Sequence, residues 1–391
     1  MAEPGDALLD ALALVAPGTP FREGLDRVLQ AKRGALVVID DGPSVLAICT
    51  GGFALDAEFT PQRLSELAKM DGAIVLDPNA SRIVRANAHL MPRASIPTSE
   101  TGTRHRTAER VARSLGVPVV TVSEAMSTIT VYRGSARHTL QQPARLIDRA
   151  TQALAAAERF KSRFDLALAV LSTLEVEDTA SVSDVVGVLQ PGEMVLRFVE
   201  EIEGYLVELG EDGRLIRMQI EELGAGVDEA LGLVALDYVV VPSEPGAGGP
   251  DSGQPEGNGV HPGRAARGDL EREHVSLLRR RADSALAALH GLSHEELLGR
   301  TPVASVLGFD PVPDVLDTPV EARGYRLLHR LPRVSEAIIE RIVARFATLP
   351  RLMQASLADL EKVGGVGEAK ARSVKDGLSR MVEATILERY E

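Results

Sequence analysis

Short apolar runs alternate with helical patterns over residues 1–143. Six of these runs are β-prone and predict strands, at 35–40, 45–50, 73–76, 82–86, 117–122 and 127–132. The turn residues at 41–43 predict a hairpin between the first two runs. Between Thr103 and Leu115 the apolar positions recur at helical spacing, which predicts a helix that Gly116 ends. The pattern is that of an α/β/α domain with a mixed sheet.

Residues 144–322 predict a helical linker or spine domain. Apolar positions recur at helical spacing from 140 to about 237, and the pattern resumes at 269–289. Between these two stretches, residues 242–268 contain 8 Gly and 5 Pro among 27 residues. Such a composition buries too little apolar surface to offset the entropy of ordering the chain. We therefore expect a disordered insertion at 242–268.

An internal repeat occupies residues 323–391. Residues 328–342 align with residues 360–374 at a shift of 32. Matched pairs include Leu328/Leu360, Val334/Val366, Glu336/Glu368 and Ala337/Ala369. Two copies of one helical unit are predicted.

Composition and charge narrow the class of protein. The chain has a single cysteine and no run of apolar residues long enough for a membrane span, so we expect a protein of the cytoplasm without disulfides, signal peptide or membrane association. A net charge of −13 argues against a general coat for nucleic acid. Residues 323–391 are the exception to this negative charge, because 13 basic and 9 acidic side chains give them a net charge of +4.

The second repeat carries a glycine-rich turn, Val363-Gly364-Gly365-Val366-Gly367, between helical sequences. Glycines let backbone N–H groups approach a phosphate closely, and the helix that follows adds its partial positive charge. The turn resembles the helix-hairpin-helix DNA-binding motif, with a degenerate copy in the first repeat. Its predicted DNA-binding residues are Lys362, Gly365, Gly367, Lys370 and Arg372. The alternative is an ordinary helical hairpin in which the glycines only close a turn.

Two segments of the first domain carry candidate chemistry. Asp71-Gly72-Ala73 opens a predicted strand, and Gly102-Thr103-Arg104-His105-Arg106-Thr107 begins the predicted helix. Basic side chains at a helix N-terminus oppose the helix dipole, and a bound anion would reverse that penalty. The alternatives are a structural Asp-Gly turn and a solvated basic patch.

These two segments resemble the signature motifs of diadenylate cyclase domains. The whole order, with a helical middle and tandem helix-hairpin-helix repeats, resembles members of that family that bind DNA, and the resemblance covers nearly the entire chain. It implies an N-terminal cyclase domain at 1–143, a helical domain at 144–322 and a DNA-binding domain at 323–391. The insertion at 242–268 departs from the family pattern.

The resemblance also implies an activity and a set of site residues. Two ATP molecules would condense to cyclic di-AMP with release of two pyrophosphates. The catalytic residues would be Asp71, as base or metal ligand, with Arg104 and Arg106 as phosphate clamps and His105 beside the metal or the α-phosphate. The nucleotide-binding residues would be Gly72, Ala73, Leu90, Gly102, Thr103, Arg104, His105, Arg106, Thr107 and Ser123. The ligands of a divalent metal, Mg²⁺ or Mn²⁺, would be Asp71, His105 and Glu124.

The implied partners are ATP, DNA that is branched, and further copies of the chain, in an octamer with cyclase domains face to face at the nucleoid. A non-catalytic scaffold that senses nucleotide and binds DNA remains an alternative from a different class. A helix-hairpin-helix glycosylase is a second alternative, against which stands the lack of any aspartate after Asp376.

Overall fold

The computed structural model describes residues 4–241 and 264–388. Its strands are Ala35–Ile39 (β1), Cys49–Thr50 (β2), Phe53–Glu58 (β3), Ala73–Leu76 (β4), Arg82–Leu90 (β5), Val119–Ser123 (β6), Thr128–Arg133 (β7) and Ala136–Thr139 (β8). Its first nine helices are Pro4–Leu14 (α1), Pro20–Gln30 (α2), Pro43–Ala47 (α3), Pro61–Leu67 (α4), Thr103–Leu115 (α5), Pro143–Glu177 (α6), Val182–Leu209 (α7), Arg214–Gly224 (α8) and Val227–Tyr238 (α9).

The remaining described helices are Arg264–Gly291 (α10), His294–Leu298 (α11), Arg300–Val306 (α12), Tyr325–His329 (α13), Glu336–Phe346 (α14), Leu349–Gln354 (α15), Leu357–Glu361 (α16) and Glu368–Glu388 (α17). Short 3-10 helices occupy Gly210–Gly213 and Pro313–Asp317. Within the two described stretches, no helix is both long and apolar enough to cross a membrane.

One mixed sheet organises the first part of the chain, as predicted. Its strand order is β2-β5-β4-β1-β6-β7-β8, and β3 also pairs with β5. The central strand β1 runs parallel to β4 and antiparallel to β6. All five residues of β1 are buried, because helices cover both faces of the sheet.

The sheet separates two hydrophobic clusters. On one face α2 and α4 contribute Leu25 and Leu64, which share a cluster with Val37 of β1. On the other face α5 contributes Val111, which shares a cluster with Val38. Adjacent residues of β1 therefore face opposite helical layers, as strand geometry requires.

The predicted hairpin between 35–40 and 45–50 is wrong. Residues Pro43–Ala47 form α3, with Pro43 at the first turn, where its missing N–H costs nothing. β2, the two-residue strand that follows, pairs with β5 instead of β1. Both sides of β1 are already occupied by β4 and β6, so no edge is left for a hairpin partner.

The helical middle of the chain is confirmed, as α6 to α9 precede the Gly/Pro-rich segment and α10 to α12 follow it. Of the predicted disordered insertion, 242–268, residues 242–263 lie outside the described residues. Its last five residues, 264–268, begin α10. The prediction is therefore wrong for these five residues, because Arg-Ala-Ala-Arg favours helix.

Contacts divide the chain into two compact units. The first consists of residues 1–155 and 200–221, and the second of residues 156–199 and 222–391. The second unit has one hydrophobic cluster that includes Leu171 of α6, Val195 of α7 and Val374 of α17. The helices of the repeat thus share a core with middle-region helices. The domain limits at 143 and 322 stay predictions.

The repeat is visible in the structure. Shifting α13 by 32 residues gives the bounds of α16, and the same shift of the first residue of α14 gives the first residue of α17. The turn of each copy has a left-handed residue at the equivalent place, Arg333 with φ 67° and Gly365 with φ 84°. Glycine adopts this conformation without strain, whereas arginine does so at a cost. The two predicted copies of one helical unit are therefore present, and the second has the more relaxed turn.

A buried polar network holds the second unit together. The carboxylate of Asp237 accepts hydrogen bonds from the backbone N–H groups of Gly324, Tyr325 and Arg326 at 2.7–3.0 Å. It thereby caps the N-terminus of α13. The Arg326 guanidinium donates to Glu175 Oε1 at 2.7 Å. Burial raises the pKa of Glu175 to about 7, despite the lowering effect of Arg326.

Arg326→Met tests this network. The substitution removes three hydrogen bonds, to Glu175, the Leu168 carbonyl and the Ser172 hydroxyl, and leaves the buried Glu175 without its cationic partner. We expect a loss of about 3–5 kcal/mol in the free energy of unfolding, measured by urea unfolding followed by circular dichroism. Arg330→Met is the matched control, because Arg330 makes only a 3.4 Å contact with Ser172 and should change stability by about 0.5 kcal/mol or less. Equal midpoints for the two variants would contradict the assignment.

Candidate active site

An open cleft of about 840 Å³ lies at one edge of the sheet in the first unit. This volume is in the range of ligand pockets. Every residue predicted for the nucleotide and metal site except Arg106 lines it: Asp71, Gly72, Ala73, Leu90, Gly102, Thr103, Arg104, His105, Thr107, Ser123 and Glu124. The segments that begin at Asp71 and Gly102, some 30 residues apart in sequence, therefore meet in this cleft. The ends of β5 and β6 complete its lining.

Strand direction explains why these residues meet. β1 and β4 are parallel, so the chain enters both strands at the same edge, where Asp71 and Gly72 precede β4. β5 and β6 run antiparallel to this pair and end at the same edge, at Leu90 and Ser123. The N-terminus of α5 completes the cleft. Its cap residue, Gly102, has no side chain to bond the first N–H groups of the helix, which leaves them for an anion.

Asp71 and Arg104 form an ion pair in the cleft. The Arg104 guanidinium donates to Asp71 Oδ1 at 2.6 Å, and the Asp71 side chain is 91% exposed. Gly34, just before β1, makes room for the guanidinium, because a Cβ there would lie 2.3 Å from Arg104 Nη1. Gly72 has a different reason to be glycine. A Cβ at this position would lie 2.4 Å from the backbone of Asn87 in β5, so Gly72 serves strand packing.

His105 is held by buried polar groups. Its Nδ1 lies 2.8 Å from the Tyr132 hydroxyl and 3.1 Å from the Thr121 hydroxyl. Tyr132 in turn donates to Glu100 at 2.9 Å. Burial lowers the pKa of His105, which favours the neutral imidazole near pH 7. Sequence reasoning missed Glu100, Thr121 and Tyr132. A buried tyrosine needs a polar partner, but nothing in the sequence says which one.

Arg106 is the one predicted nucleotide-site residue outside the cleft lining. It is exposed. A role of Arg106 in phosphate binding therefore stays a prediction, whereas Arg104 lines the cleft. Sequence reasoning also missed part of the lining, which consists of Leu36, Ala88, His89, Met91, Val122 and Ala125. These residues come from strand ends whose pairing the sequence does not reveal.

Comparison with known proteins agrees with this geometry. Residues 22–137 match the family model described as "DisA bacterial checkpoint controller nucleotide-binding", and residues 140–247 match the one for the linker region of the same controller. A protein of a Parafrankia species named DNA integrity scanning protein DisA is 46% identical over 388 residues, 99% of each chain. The protein of that name from Streptomyces coelicolor is 47% identical over 386 residues, 98% of this chain and 95% of the relative.

The chain belongs to the DisA family. The predicted resemblance to this family is thereby confirmed. The nucleotide-binding model of the DisA family contains the whole cleft, since its matched residues, 22–137, include every residue that lines it.

The three predicted metal ligands lie in the same cleft. Asp71, His105 and Glu124 all line the cleft. Among the described residues, no group of three or more His, Cys, Asp or Glu side chains is arranged to hold a metal ion. Magnesium often keeps several waters and is bound through one or two carboxylates and substrate phosphates. The described side chains of the cleft thus do not form an all-protein cage, and a metal ion there would need phosphate oxygens as further ligands.

Gly34→Ala and Gly72→Ala separate the two glycine roles. The methyl group at 34 meets the mobile end of Arg104, so we expect an intact fold, a displaced guanidinium and ATP affinity weakened by about 10- to 100-fold. The methyl group at 72 meets backbone, so we expect a loss of about 1–3 kcal/mol in stability. Thermal unfolding and ATP titration measure both effects. A Gly34→Ala protein with unchanged ATP affinity would show that the position of Arg104 beside Asp71 is not the one in which it binds the nucleotide.

Proposed function

We propose that the chain is a diadenylate cyclase, which condenses two ATP molecules to cyclic di-AMP and two pyrophosphates, and that its C-terminal repeats couple this activity to DNA. The observation that carries the proposal is the cleft, where a carboxylate, a guanidinium, an imidazole and an uncapped helix N-terminus converge. Membership of the DisA family supports the same activity.

The chemistry requires a base near each 3′-hydroxyl and cations around each triphosphate. Each 3′-oxygen bonds to the α-phosphorus of the other ATP, and the bond from that phosphorus to the bridging oxygen breaks. Pyrophosphate leaves with the electron pair, and the hydroxyl proton passes to the carboxylate of Asp71. Arg104, Thr103 and the first N–H groups of α5 hold the phosphates. Leu90 packs against the adenine ring of ATP.

A divalent metal fits the same site. Asp71, His105 and Glu124 are the side chains that would hold Mg²⁺ or Mn²⁺ together with phosphate oxygens. When bound, the ion neutralises phosphate charge and lowers the pKa of a coordinated hydroxyl. The chain's own residues keep the tasks of orienting ATP and accepting the proton.

One cleft per chain implies that two chains act together. Each ATP must present its 3′-hydroxyl to the α-phosphate of the other, so the two nucleotides are related by a two-fold axis, and two protomers meet with their clefts face to face. The octamer that the resemblance implies contains such pairs.

The second hairpin is the proposed DNA contact. Gly365 has φ 84°, and the Lys370 ammonium lies 3.3 Å from the Gly365 carbonyl, beside the turn. Lys362 and Arg372 flank the same turn, each in an exposed ion pair. Exposed pairs are weak, so phosphate can replace their carboxylate partners. The hairpin binds the backbone phosphates of DNA. The preferred DNA is branched, and the protein acts at the nucleoid.

The direct test is chemical. The purified full-length protein is incubated with ATP and Mg²⁺ or Mn²⁺, and the products are analysed by mass spectrometry. Cyclic di-AMP and two equivalents of pyrophosphate are expected. Binding of ATP without any cyclic product would favour the alternative function of a nucleotide-sensing DNA-binding scaffold.

Asp71→Asn tests the base. The amide is nearly isosteric and still accepts a hydrogen bond from Arg104, so the fold and ATP binding should be retained. Turnover should fall by at least about 10² to 10⁴-fold, the usual effect of losing a general base. Quantification of cyclic di-AMP by mass, beside an ATP titration, measures both. Near-normal output from the folded variant would remove Asp71 from the mechanism.

Arg104→Ala and Arg106→Ala form a matched pair on one helix turn. Each removes one charge that opposes the helix dipole, so both should leave thermal stability equal or slightly higher. Only Arg104 lines the cleft, so only Arg104→Ala should weaken ATP binding, by about 10-fold or more. Isothermal titration with ATP gives the comparison. Equal losses for both variants would mean that Arg106 reaches the nucleotide as well.

Lys370→Glu combined with Arg372→Glu tests the hairpin. We expect DNA affinity to fall at least about 10-fold and the slope of log K against log salt to shrink by about 0.9 per lost phosphate contact. Arg214→Glu with Arg217→Glu is the control, because it changes net charge equally on exposed positions of α8. Fluorescence anisotropy with a labelled four-way junction and a duplex measures both. An equal loss of DNA affinity in the control would mean that net charge, and not the hairpin, explains the weaker binding.

A further inference from the structure

The inner side of His105 contacts a chain of polar groups that ends on a carboxylate. Nδ1 lies 2.8 Å from the Tyr132 hydroxyl oxygen, which lies 2.9 Å from Glu100 Oε1. The Arg137 guanidinium pairs with the same Glu100 oxygen at 2.9 Å. Tyr132 is fully buried, and the Glu100 side chain is 13% exposed. These hydrogen-bonded groups are therefore shielded from solvent, and His105 and Arg137 hold the two ends of the series.

Counting protons assigns the tautomer of His105. Both short contacts of Tyr132 need a proton between their heavy atoms, and the tyrosine hydroxyl has only one. Glu100, paired with Arg137, is a carboxylate and can only accept, so the tyrosine proton points to Glu100. The tyrosine oxygen then accepts from His105, and the proton of the neutral imidazole sits on Nδ1. The Thr121 hydroxyl, 3.1 Å from Nδ1, satisfies this arrangement as a second acceptor.

We propose that Glu100 and Tyr132 are positioning residues that hold His105 in the Nδ1–H tautomer, so that Nε2 offers a lone pair to a divalent cation in the cleft. The role toward the cation rests on the proposed function, whereas the tautomer rests on the contacts alone. A hydrogen-bonded partner on the other ring nitrogen is the usual way in which proteins orient a histidine ligand and raise its basicity.

The tautomer also decides between two roles of His105. A phosphate oxygen is an acceptor and needs an N–H, which Nε2 lacks in this tautomer. A cation needs a lone pair, which Nε2 has. His105 therefore serves the metal ion, and phosphate binding is left to Arg104 and the N-terminus of α5.

The first experiment reads the tautomer directly. Full-length protein labelled with ¹⁵N-histidine, free of metal and nucleotide, is studied by long-range ¹H–¹⁵N NMR, and the His105 signals among the 8 histidines are assigned with His105→Gln. We expect protonated Nδ1 and unprotonated Nε2 in the wild type. Glu100→Ala frees the Tyr132 proton to point to Nδ1, so the tautomer should reverse. Tyr132→Phe removes the acceptor, so the preference should weaken.

The second experiment uses Mn²⁺ as the probe. Paramagnetic broadening of the His105 signals during a Mn²⁺ titration should require about 10- to 100-fold more metal in Tyr132→Phe and Glu100→Ala than in the wild type. Tyr205→Phe is the matched control, because Tyr205 also donates to a glutamate, Glu201, but lies outside the cleft. It should titrate like the wild type.

The outcomes separate this inference from the proposed function. Protonated Nε2 in the wild type, or a tautomer unchanged in Glu100→Ala, overturns the inference even if the protein makes cyclic di-AMP. The expected tautomer with unaltered Mn²⁺ dependence in both variants overturns the role toward the cation. The expected tautomer and metal shifts support the inference even if no cyclic product forms, in which case only the proposed function fails.

Discussion

The cleft depends on one constraint, the parallel pairing of β1 with β4 between two antiparallel strands. The register places Val37 opposite Ile74, while β6 pairs Val122 with Ala35. Four strand ends thereby reach one edge of the sheet. A slip of one residue would move the side chains of each face of β1 into the opposite hydrophobic cluster, where they would not fit the helix that packs there. Since both faces of β1 carry hydrophobic clusters, such a slip is costly and the register is fixed by the core.

Local structure was predictable because its signals are local. The strand at 73–76 and the helix from Thr103 to Leu115 have the predicted bounds, and Gly116 ends that helix with φ 68°. The two motif segments also met in one cleft, but that expectation came from the family resemblance. The failures concern partners distant in sequence. The hairpin failed because a turn signal does not report which strand edges are free. The hydrogen bond between Tyr132 and Glu100 likewise spans 32 residues and leaves no local pattern.

The repeats show how a charged segment is built into a core. Residues 323–391 are net basic, yet Arg326 is buried. Its guanidinium donates hydrogen bonds to Glu175, Leu168 and Ser172. Asp237 is buried as well, and it is retained there because three backbone N–H groups at the start of α13 would otherwise lack acceptors. The basic residues available to DNA are thus fewer than the sequence suggests. Lys362, Lys370 and Arg372 at the second hairpin are exposed, and so are other basic residues of the segment, such as Arg333 and Arg341.

The pairing of Asp71 with Arg104 explains how a cleft can be charged without ligand and still bind one readily. Both side chains are substantially exposed, so the pair contributes about 1 kcal/mol or less to stability. A guanidinium has five donors in a planar fork, and a phosphate offers it a bidentate partner that carries more charge than one carboxylate. Nucleotide binding can therefore draw Arg104 away from Asp71 at little cost. The carboxylate that it releases lies in the same cleft as the incoming nucleotide, free to accept a proton or to bind a cation. In the proposed function, phosphate therefore competes with Asp71 for Arg104, and the exposed carboxylate keeps its place in the cleft for the role of base or metal ligand.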